Sequence, residues 1–581
     1  MEKAAVLHRP YSEYCFALSP KRIVLRIRTK KDDLSACYVY YGDRMDPNTP
    51  IDVTKIEMEK AYTDELFDYY EAVFDIEITR VCYYFELLDN EKKSIYYYNN
   101  DFHHEVVLNR QLYYNFHYVR EEDIPDVPEW AKNAIIYQIY PDSFATSKEH
   151  ISKLESEIVN KDGSISRSKF GGTLKGVTQN IEYLVELGIN CIYFTPIFKS
   201  QSWHKYDTID YFEVDPCLGT KEDLREMIET CHKNQIKVIF DGVFNHTSPD
   251  FFAFRDVLEK GYDSPYFDWY YIKELPIVTE PRPNYECFAY VSTMPKINTG
   301  NEQVKKYILS IATYWIKEFD IDGWRLDVAN EVDLEFWRAY RRAVREVKKD
   351  ALLIGEIWDD AHVFLQGDQF DTAMNYNLYF ACRDFFAEHT IGAKQFADRV
   401  SYLLTRYKKQ IQDVQMNLID SHDVSRFISV AGESEEILKL GAIFLLTHVG
   451  MPMIFYGDEQ GINGIEEIDY RKPMIWQENK GELFKFYQKL IALRKDNMAL
   501  MLGKYKVIVA EEDCYGYIRE AEGKKLIVLL NRSDKPYRAN LSIDTQGTEV
   551  KDYLNGKSYP ISESKIMVDI APLDSAIILL K

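Results

Sequence analysis

The sequence has no CxxC pair, no GxGxxG or Walker phosphate loop, and no HxH or HExxH spacing. Nothing therefore points to a zinc site or to a bound nucleotide cofactor. The nine cysteines, at positions 15, 37, 82, 191, 217, 231, 287, 382 and 514, are scattered and odd in number. They read as free thiols in a reducing compartment, not as a disulfide framework. Positive charge is also short: 71 Lys and Arg face 93 Asp and Glu, a formal net charge of −22. Such a surface repels phosphate backbones and anionic lipid, which sets aside nucleic-acid and membrane-surface partners. The first residues, MEKAAVLHRPYSEYCF, lack the apolar core of a secretory signal, so a cytoplasmic location is expected. One uncharged run, 440–457, reaches 18 residues, near the lower limit for a membrane span. His448, Gly450 and Pro452 interrupt it, and the expected structure is a buried helix to about Val449, a turn, and a short strand over 453–456. No internal repeat or low-complexity tract is present.

What the chain does have is an ordinary globular balance, 46% hydrophobic and 28% charged over 581 residues, which argues against disorder. It also has 44 tyrosines, sixteen of them before residue 120. Tyrosine suits both sugar binding and β-sheet surfaces. Short alternating runs at 22–28, 36–41 and 81–88, punctuated by Asp, Asn and Gly, predict an N-terminal β-sandwich over 1–122. The segment EEDIPDVPEW reads as a linker. From there the rhythm becomes strand, loop, helix: strands at 134–140, 190–194, 236–241, 323–327, 352–356, 371–374, 415–420 and 453–456. Helices are expected at 176–187, 221–234, 302–319, 334–348, 393–409, 435–447 and 481–495. The fold class is α/β, a (β/α)8 TIM barrel over 123–501. Its length demands insertions, the clearest at about 247–300 after the third strand. Residues 502–581 return to short strands and predict a C-terminal β-sandwich.

In such a barrel, chemistry sits where the strands end. Strand three ends in Asp241-Gly-Val-Phe-Asn245-His246, strand four in Trp324-Arg325-Leu326-Asp327, strand five in Gly355-Glu356-Ile357-Trp358, and strand seven in Asp420-Ser421-His422-Asp423. Any one acid is more simply a solvated loop residue. Four strand ends delivering carboxylates to one face are harder to explain that way, because gathered like charges need a function or a cation. A metal is the competing use, but Arg325 already supplies a cation. Paired carboxylates without metal or phosphate loop suit acetal hydrolysis, in which one acid protonates the leaving oxygen and one carboxylate meets the charge developing at the sugar carbon.

DGVFNH (241–246), GWRLDVANE (323–331), GEIW (355–358) and NLIDSHD (417–423) resemble, in order and strand position, the four signature regions of the α-amylase family, glycoside hydrolase family 13. The resemblance continues through QIYPDSF, HKYDTIDYFEVDP and GMPMIFYGDEQG. MPKIN (294–298) and the VANE ending point to the neopullulanase, cyclomaltodextrinase and maltogenic amylase group, whose N-terminal module ELFDYYEA and YYFELLDN also resemble. It thus covers essentially the whole chain. It implies Asp327 as nucleophile, Glu356 as general acid and base, and Asp423 as the carboxylate that stabilises the transition state through the sugar's 2- and 3-hydroxyls. Arg325 is expected to hold Asp327 ionised, and Glu356 to be protonated when substrate binds. His246 and His422 would hydrogen-bond the sugar in the cleaved subsite and Tyr206 would stack on it, with His204, Asp241 and Arg325 also among the substrate-binding residues. Asn330 and Glu331 would lie on the acceptor side, tied to α-1,6 linkages and transglycosylation; alone, Glu331 could equally be an acid favoured at a helix start. Trp358 and Phe288 would be acceptor platforms, and Glu467 with Arg471 would act on the donor side.

The chain departs from the family pattern in places. Glu467 stands for the usual Asp, and Asp359 for the His after GEIW. The family's N-terminal calcium run reads ATSKEHIS (145–152), and a second ligand position holds Thr173. A cation wanting six to eight oxygens loses most of its ligands, so this calcium site is expected to be absent and no cofactor to be required. The implied function is retaining hydrolysis of α-1,4, and some α-1,6, bonds in cyclodextrins, pullulan and maltooligosaccharides, with transglycosylation. A starch-preferring amylase or pullulanase of the same fold is the nearest alternative. A non-catalytic carbohydrate-binding relative is the alternative of another class, disfavoured because all three acids are present. α-Glucan oligosaccharides and cyclodextrins are the implied substrates, in starch degradation, with a homodimer through the N-terminal domain as the implied assembly.

Overall fold

The computed structural model describes residues 1–147, 156–477, 479–543 and 547–580. Eight parallel strands form the central sheet: β1 (Ile136–Ile139), β2 (Cys191–Phe194), β3 (Lys237–Gly242), β4 (Gly323–Leu326), β5 (Leu352–Gly355), β6 (Thr372–Ala373), β7 (Met416–Asn417) and β8 (Met451–Phe455). Their order is β6-β5-β4-β3-β2-β1-β8-β7, and a single parallel bridge from Met374 to Met416 joins the two ends. The sheet is thereby a barrel. Its strands are buried on both faces, which is why they read as apolar runs, not as alternations. Gly323 permits the close approach of β4 to β5, since a Cβ there would lie 2.4 Å from the Leu352 carbonyl.

The helices follow their expected faces. Glu302–Phe319 buries Val304, Ile308, Ile311, Trp315 and Phe319 along one stripe, each worth about 1.5–3 kcal/mol. Asn301 caps its start, accepting from Gln303 and Val304 N–H, and Asp320 ends it in the left-handed region at φ 57°. The uncharged run divides as expected into the helix Glu435–Thr447, a turn at Gly450 with φ 103°, and β8. Among the described residues no helix is long and apolar enough to cross a membrane. The expected helix at 176–187 is instead two, Leu174–Gln179 and Ile181–Leu187, broken where the Asn180 amide donates back to the Gly176 carbonyl at 2.8 Å. Strands β6 and β7 are shorter than expected because side chains take over from the ladder. The Asp371 carboxylate accepts Leu353 N–H at 2.8 Å and pairs with Arg341 and Arg345, and Asn417 bonds Asn375 and the Val449 carbonyl. The insertion after β3 contains a helix, Phe252–Lys260, and short 3-10 turns.

Residues by contact fall into two units: 127–388 with 414–502, which holds the barrel, and 1–126 with 389–413 and 503–581. The second unit contains two N-terminal sheets, one of four strands and one of six, around a core that includes Tyr70, Tyr83, Tyr84, Tyr97, Tyr98, Tyr113 and Tyr114. The early tyrosine excess is thus largely sheet packing. Its C-terminal part has two four-stranded sheets around Ile527, Leu541, Val568 and Ile578. The helix Ala393–Thr405 belongs to this unit: Ala393 N–H donates to the Glu512 carbonyl at 3.0 Å, and Phe396 meets the Tyr515 ring edge-on at 4.8 Å.

Candidate active site

Parallel register brings Asp241 of β3 beside Arg325 of β4 and Ile354 of β5. Arg325 is wholly buried, and its guanidinium organises the mouth of the barrel. Nη1 contacts Asp241 at 3.0 Å and Asp327 at 2.8 Å; Nη2 lies 3.0 Å from Glu356 and 3.8 Å from Asp423. Glu356 is further held by two donors, the Val328 N–H at 2.9 Å to Oε2 and the Trp358 indole at 3.1 Å to Oε1. Val328 adopts φ 45° and ψ 42°, a left-handed backbone that is strained for a β-branched residue, by about 1–3 kcal/mol. That turn aims its N–H at Glu356 and redirects the chain to Asn330 and Glu331.

The charge balance is uneven, with four carboxylates against Arg325 and, at 3.6 Å from Asp423, Arg471. Burial and the negative charge of Glu356 push Asp327 well above the usual carboxylate range, although Arg325 opposes them. Arg325 contacts Asp327 as expected, but the same guanidinium also serves Asp241, Glu356 and Asp423. Burial and Glu356 likewise push Asp423 up to about 7, and burial raises Asp241. Burial depresses Arg325 but Asp241 and Glu356 more than reverse that, so it stays cationic.

The histidines are neutral. Burial, then the charges of Arg471 and Arg325, takes His422 well below its usual value. Its main-chain N–H donates to Gln138 Oε1 at 3.3 Å, so the Gln138 amide N–H donates to Nδ1 at 2.7 Å. The His422 proton is left on Nε2, facing Asp423 Oδ2 at 3.2 Å and the Tyr206 hydroxyl. Burial lowers His246 to about 4; its Nε2 lies 3.0 Å from the Tyr206 carbonyl and its Nδ1 3.3 Å from the Asn245 amide. Burial lowers His204 as well. The Tyr206 hydroxyl donates to Asp241 at 3.1 Å, and its ring lies parallel to His422 with centroids 5.6 Å apart.

Above this floor opens a cavity of 720 Å³. Twelve of the fifteen candidate residues line it: His204, Tyr206, His246, Phe288, Asp327, Asn330, Glu331, Glu356, Trp358, Asp423, Glu467 and Arg471. The other three, Asp241, Arg325 and His422, lie buried directly beneath. Phe288 stacks on His246 at 5.4 Å, and Trp358 on Tyr376 at 3.7 Å. Arg471 bonds Glu467 and donates to the His422 carbonyl at 2.7 Å.

Sequence reasoning missed several supports. Tyr193 donates to Asp241 at 2.7 Å from inside β2, hidden in an apolar run. Gln138 was visible as a lone amide in β1. Tyr376, Met294 and Val328 gave no chemical signal. Of the 145–152 run, residues 148–152 lie outside the described residues; the Thr173 hydroxyl accepts the Gly176 N–H at 3.0 Å as a helix cap.

A barrel with this carboxylate mouth defines a glycoside hydrolase. The chain belongs to the α-amylase family: its catalytic-domain model matches residues 138–482, the N-terminal ig-like domain 1–120, and the maltogenic amylase C-terminal domain 505–577. It is 41% identical over 564 residues to a maltogenic α-amylase of Bacillus acidopullulyticus, covering 96% of each chain. It is 38% identical to neopullulanase 2 of Thermoactinomyces vulgaris, covering 99% of each. A solved cyclomaltodextrinase superposes over 100% of both chains with a TM-score of 0.93 at 36% identity.

Proposed function

We propose that this hydrolase is a retaining enzyme that cleaves α-1,4, and some α-1,6, glucosidic bonds in cyclodextrins, pullulan and maltooligosaccharides, and transfers part of the sugar to other sugars. The observation that carries this reading is the pair Asp327 and Glu356, held by the two η nitrogens of one guanidinium at the floor of the cavity. Asp327 attacks the anomeric carbon as the bond to the leaving oxygen breaks, and Glu356 gives that oxygen a proton. Glu356 then takes a proton from water, or from a sugar hydroxyl, as it displaces Asp327. The carboxyl groups of such a pair stand about 5–5.5 Å apart. Asp423 meets the 2- and 3-hydroxyls, beside a His422 whose Nε2–H is free of the Gln138 amide. Tyr206, fixed by its hydroxyl, offers its ring to the sugar, and a sugar hydroxyl competes with the Tyr206 carbonyl for His246. Trp358 and Phe288 flank the acceptor side, with Asn330 and Glu331; Glu467 and Arg471 close the donor side.

The relatives named for maltogenic, neopullulanase and cyclomaltodextrinase activities support this substrate range over a starch preference. Three acids gathered at one cavity support an enzyme over a binding module. Thr173, engaged as a helix cap, supports a protein that needs no calcium at the family position. Nine free cysteines, seven of them buried, suit a cytoplasmic enzyme acting on imported oligosaccharides. The domain division at 122 and 501 and a dimer through the N-terminal domain complete the reading. Turnover of β-cyclodextrin, pullulan and soluble starch at equal mass tests it. β-Cyclodextrin should be fastest; starch hydrolysed faster than β-cyclodextrin overturns the substrate assignment.

A further inference from the structure

Lys296 lies in the MPKIN segment, which marked the subgroup but has no assigned task. The segment pairs antiparallel with the chain just beyond β3: Thr247 N–H donates to the Pro295 carbonyl at 3.1 Å, and Ile297 N–H to the Asn245 carbonyl at 3.0 Å. This places the Lys296 stem alongside His246. Its ammonium then reaches three oxygens on two other strand ends. It donates to Asn245 Oδ1, to the Glu331 carbonyl at 3.0 Å and to the Glu331 carboxylate at 3.3 Å. An ammonium has three donors, and all three are used. The lysine side chain is 19% exposed, whereas the Glu331 side chain is 46% exposed and lines the cavity.

The consequence is a clamp with two jaws. Asn245, wholly buried, bonds the ring of His246 at 3.3 Å, and His246 bonds the main chain of Tyr206 at 3.0 Å. On the other jaw, the carbonyl and carboxylate of Glu331 end the 3-10 turn Ala329–Glu331 that follows the strained Val328. Glu331 alone is half-exposed and would sample several rotamers. With its carbonyl oxygen and one carboxylate oxygen held on one cation, Glu331 lines the cavity beside Asn330 with its rotamer restricted.

We propose that Lys296 is the positioning residue of the acceptor side, holding Glu331 and its turn in the geometry that receives the leaving or incoming sugar. This rests on the acceptor-side reading of Asn330 and Glu331. It assigns Lys296 no contact with the reacting atoms. Its loss should weaken steps that use an acceptor sugar and spare formation of the glycosyl-enzyme.

Two substrates separate these effects. α-Maltosyl fluoride loses fluoride and places no sugar on the acceptor side; maltotriose places a glucose there. In Lys296→Met, kcat/KM for maltotriose should fall about tenfold or more, while kcat/KM for α-maltosyl fluoride changes less than about threefold, as expected when a contact group is misplaced but the nucleophile is intact. Transfer to added methyl α-glucoside, relative to hydrolysis, should fall in parallel. Lys296→Arg, which keeps the charge, should recover part of the maltotriose rate, and it remains informative if Lys296→Met does not fold. Equal losses on the two substrates, or a maltotriose rate within twofold of wild type, would overturn the proposal. A wild-type enzyme that makes no transfer product counts against the transglycosylase reading alone, because the maltotriose arm still decides for Lys296.

Discussion

Replacing Asp423 by asparagine should separate stability from turnover. Its side chain is 24% exposed and lies 3.2 Å from His422 Nε2 and 3.6 Å from Arg471. Burial and the charge of Glu356 push it up to about 7, whereas an aspartate in an unfolded chain titrates near ~3.9. Between those values the folded protein holds a proton that the unfolded chain has released, so stability falls as pH rises through this window. Below about pH 4 both states are protonated and the group contributes nothing; above about pH 7 the destabilisation is complete. The full displacement corresponds to at most about 4 kcal/mol, at ~1.4 kcal/mol per tenfold change in proton affinity. Sharing of the proton within the cluster and partial exposure reduce this to about 1–2 kcal/mol. Asparagine keeps the shape and cannot ionise. With an unfolding entropy of ~2 cal/mol/K per residue, Tm of the barrel unit should rise by about 1–3 °C at pH 8. The gain should vanish near pH 4. Turnover should drop by about 10³-fold or more, because the transition state loses a charged contact. Scanning calorimetry of both proteins from pH 4 to 8, with initial rates at each pH, is the assay. A variant less stable than wild type at pH 8, or a Tm difference that does not vary with pH, would refute the reasoning.

Two further outcomes follow from the same floor. Asp327→Asn should abolish hydrolysis with an unchanged circular dichroism spectrum, and residual kcat/KM within tenfold of wild type would mean that another group is the nucleophile. Val328→Gly should relieve the left-handed strain while freeing the unfolded chain, two effects of about 1 kcal/mol each and opposite sign; Tm should move by less than about 2 °C, and a larger loss would show that the valine side chain, not its backbone, is what the site needs.

The fold and the site were legible in the sequence to different depths. β3, β4 and β5 announced themselves as apolar runs ending in Asp241, Arg325 and Glu356, because strands buried on both faces admit polar residues only where they emerge. β6 and β7 were legible at 371–374 and 415–420 but not in their true lengths, since Asp371 and Asn417 replace ladder bonds with side-chain bonds, which no periodicity reveals. In the C-terminal unit, Lys565–Ile570 alternates cleanly between exposed and buried but was overlooked among polar neighbours, as were the strands Tyr537–Ser542, Glu549–Lys551 and Ser558–Ser562. The helix Tyr376–Cys382, which supplies Tyr376 beneath Trp358, is not among the expected helices. The candidate residues assembled because family motifs located them by strand end. Their charge states were not legible: whether Arg325 could neutralise Asp327 depended on how many other acids it serves, and that is a count in space.

The helix Ala393–Thr405 carries a consequence for the order in which the chain is made. Residues 1–126 leave the ribosome first and have a core of their own, so that sandwich can form early. The helix emerges only after β1 to β6, inside the stretch that encodes the barrel. One of its hydrogen-bond partners, Glu512, and its ring partner Tyr515 lie more than a hundred residues further on. At ~5–20 residues per second, the part of its face that meets Tyr515 waits for several seconds or longer before that strand exists to receive it. Synthesis therefore leaves that part of the helix without its Tyr515 and Glu512 partners during the interval in which β7 and β8 must find their places, and the strand that carries them is the one that ends the wait.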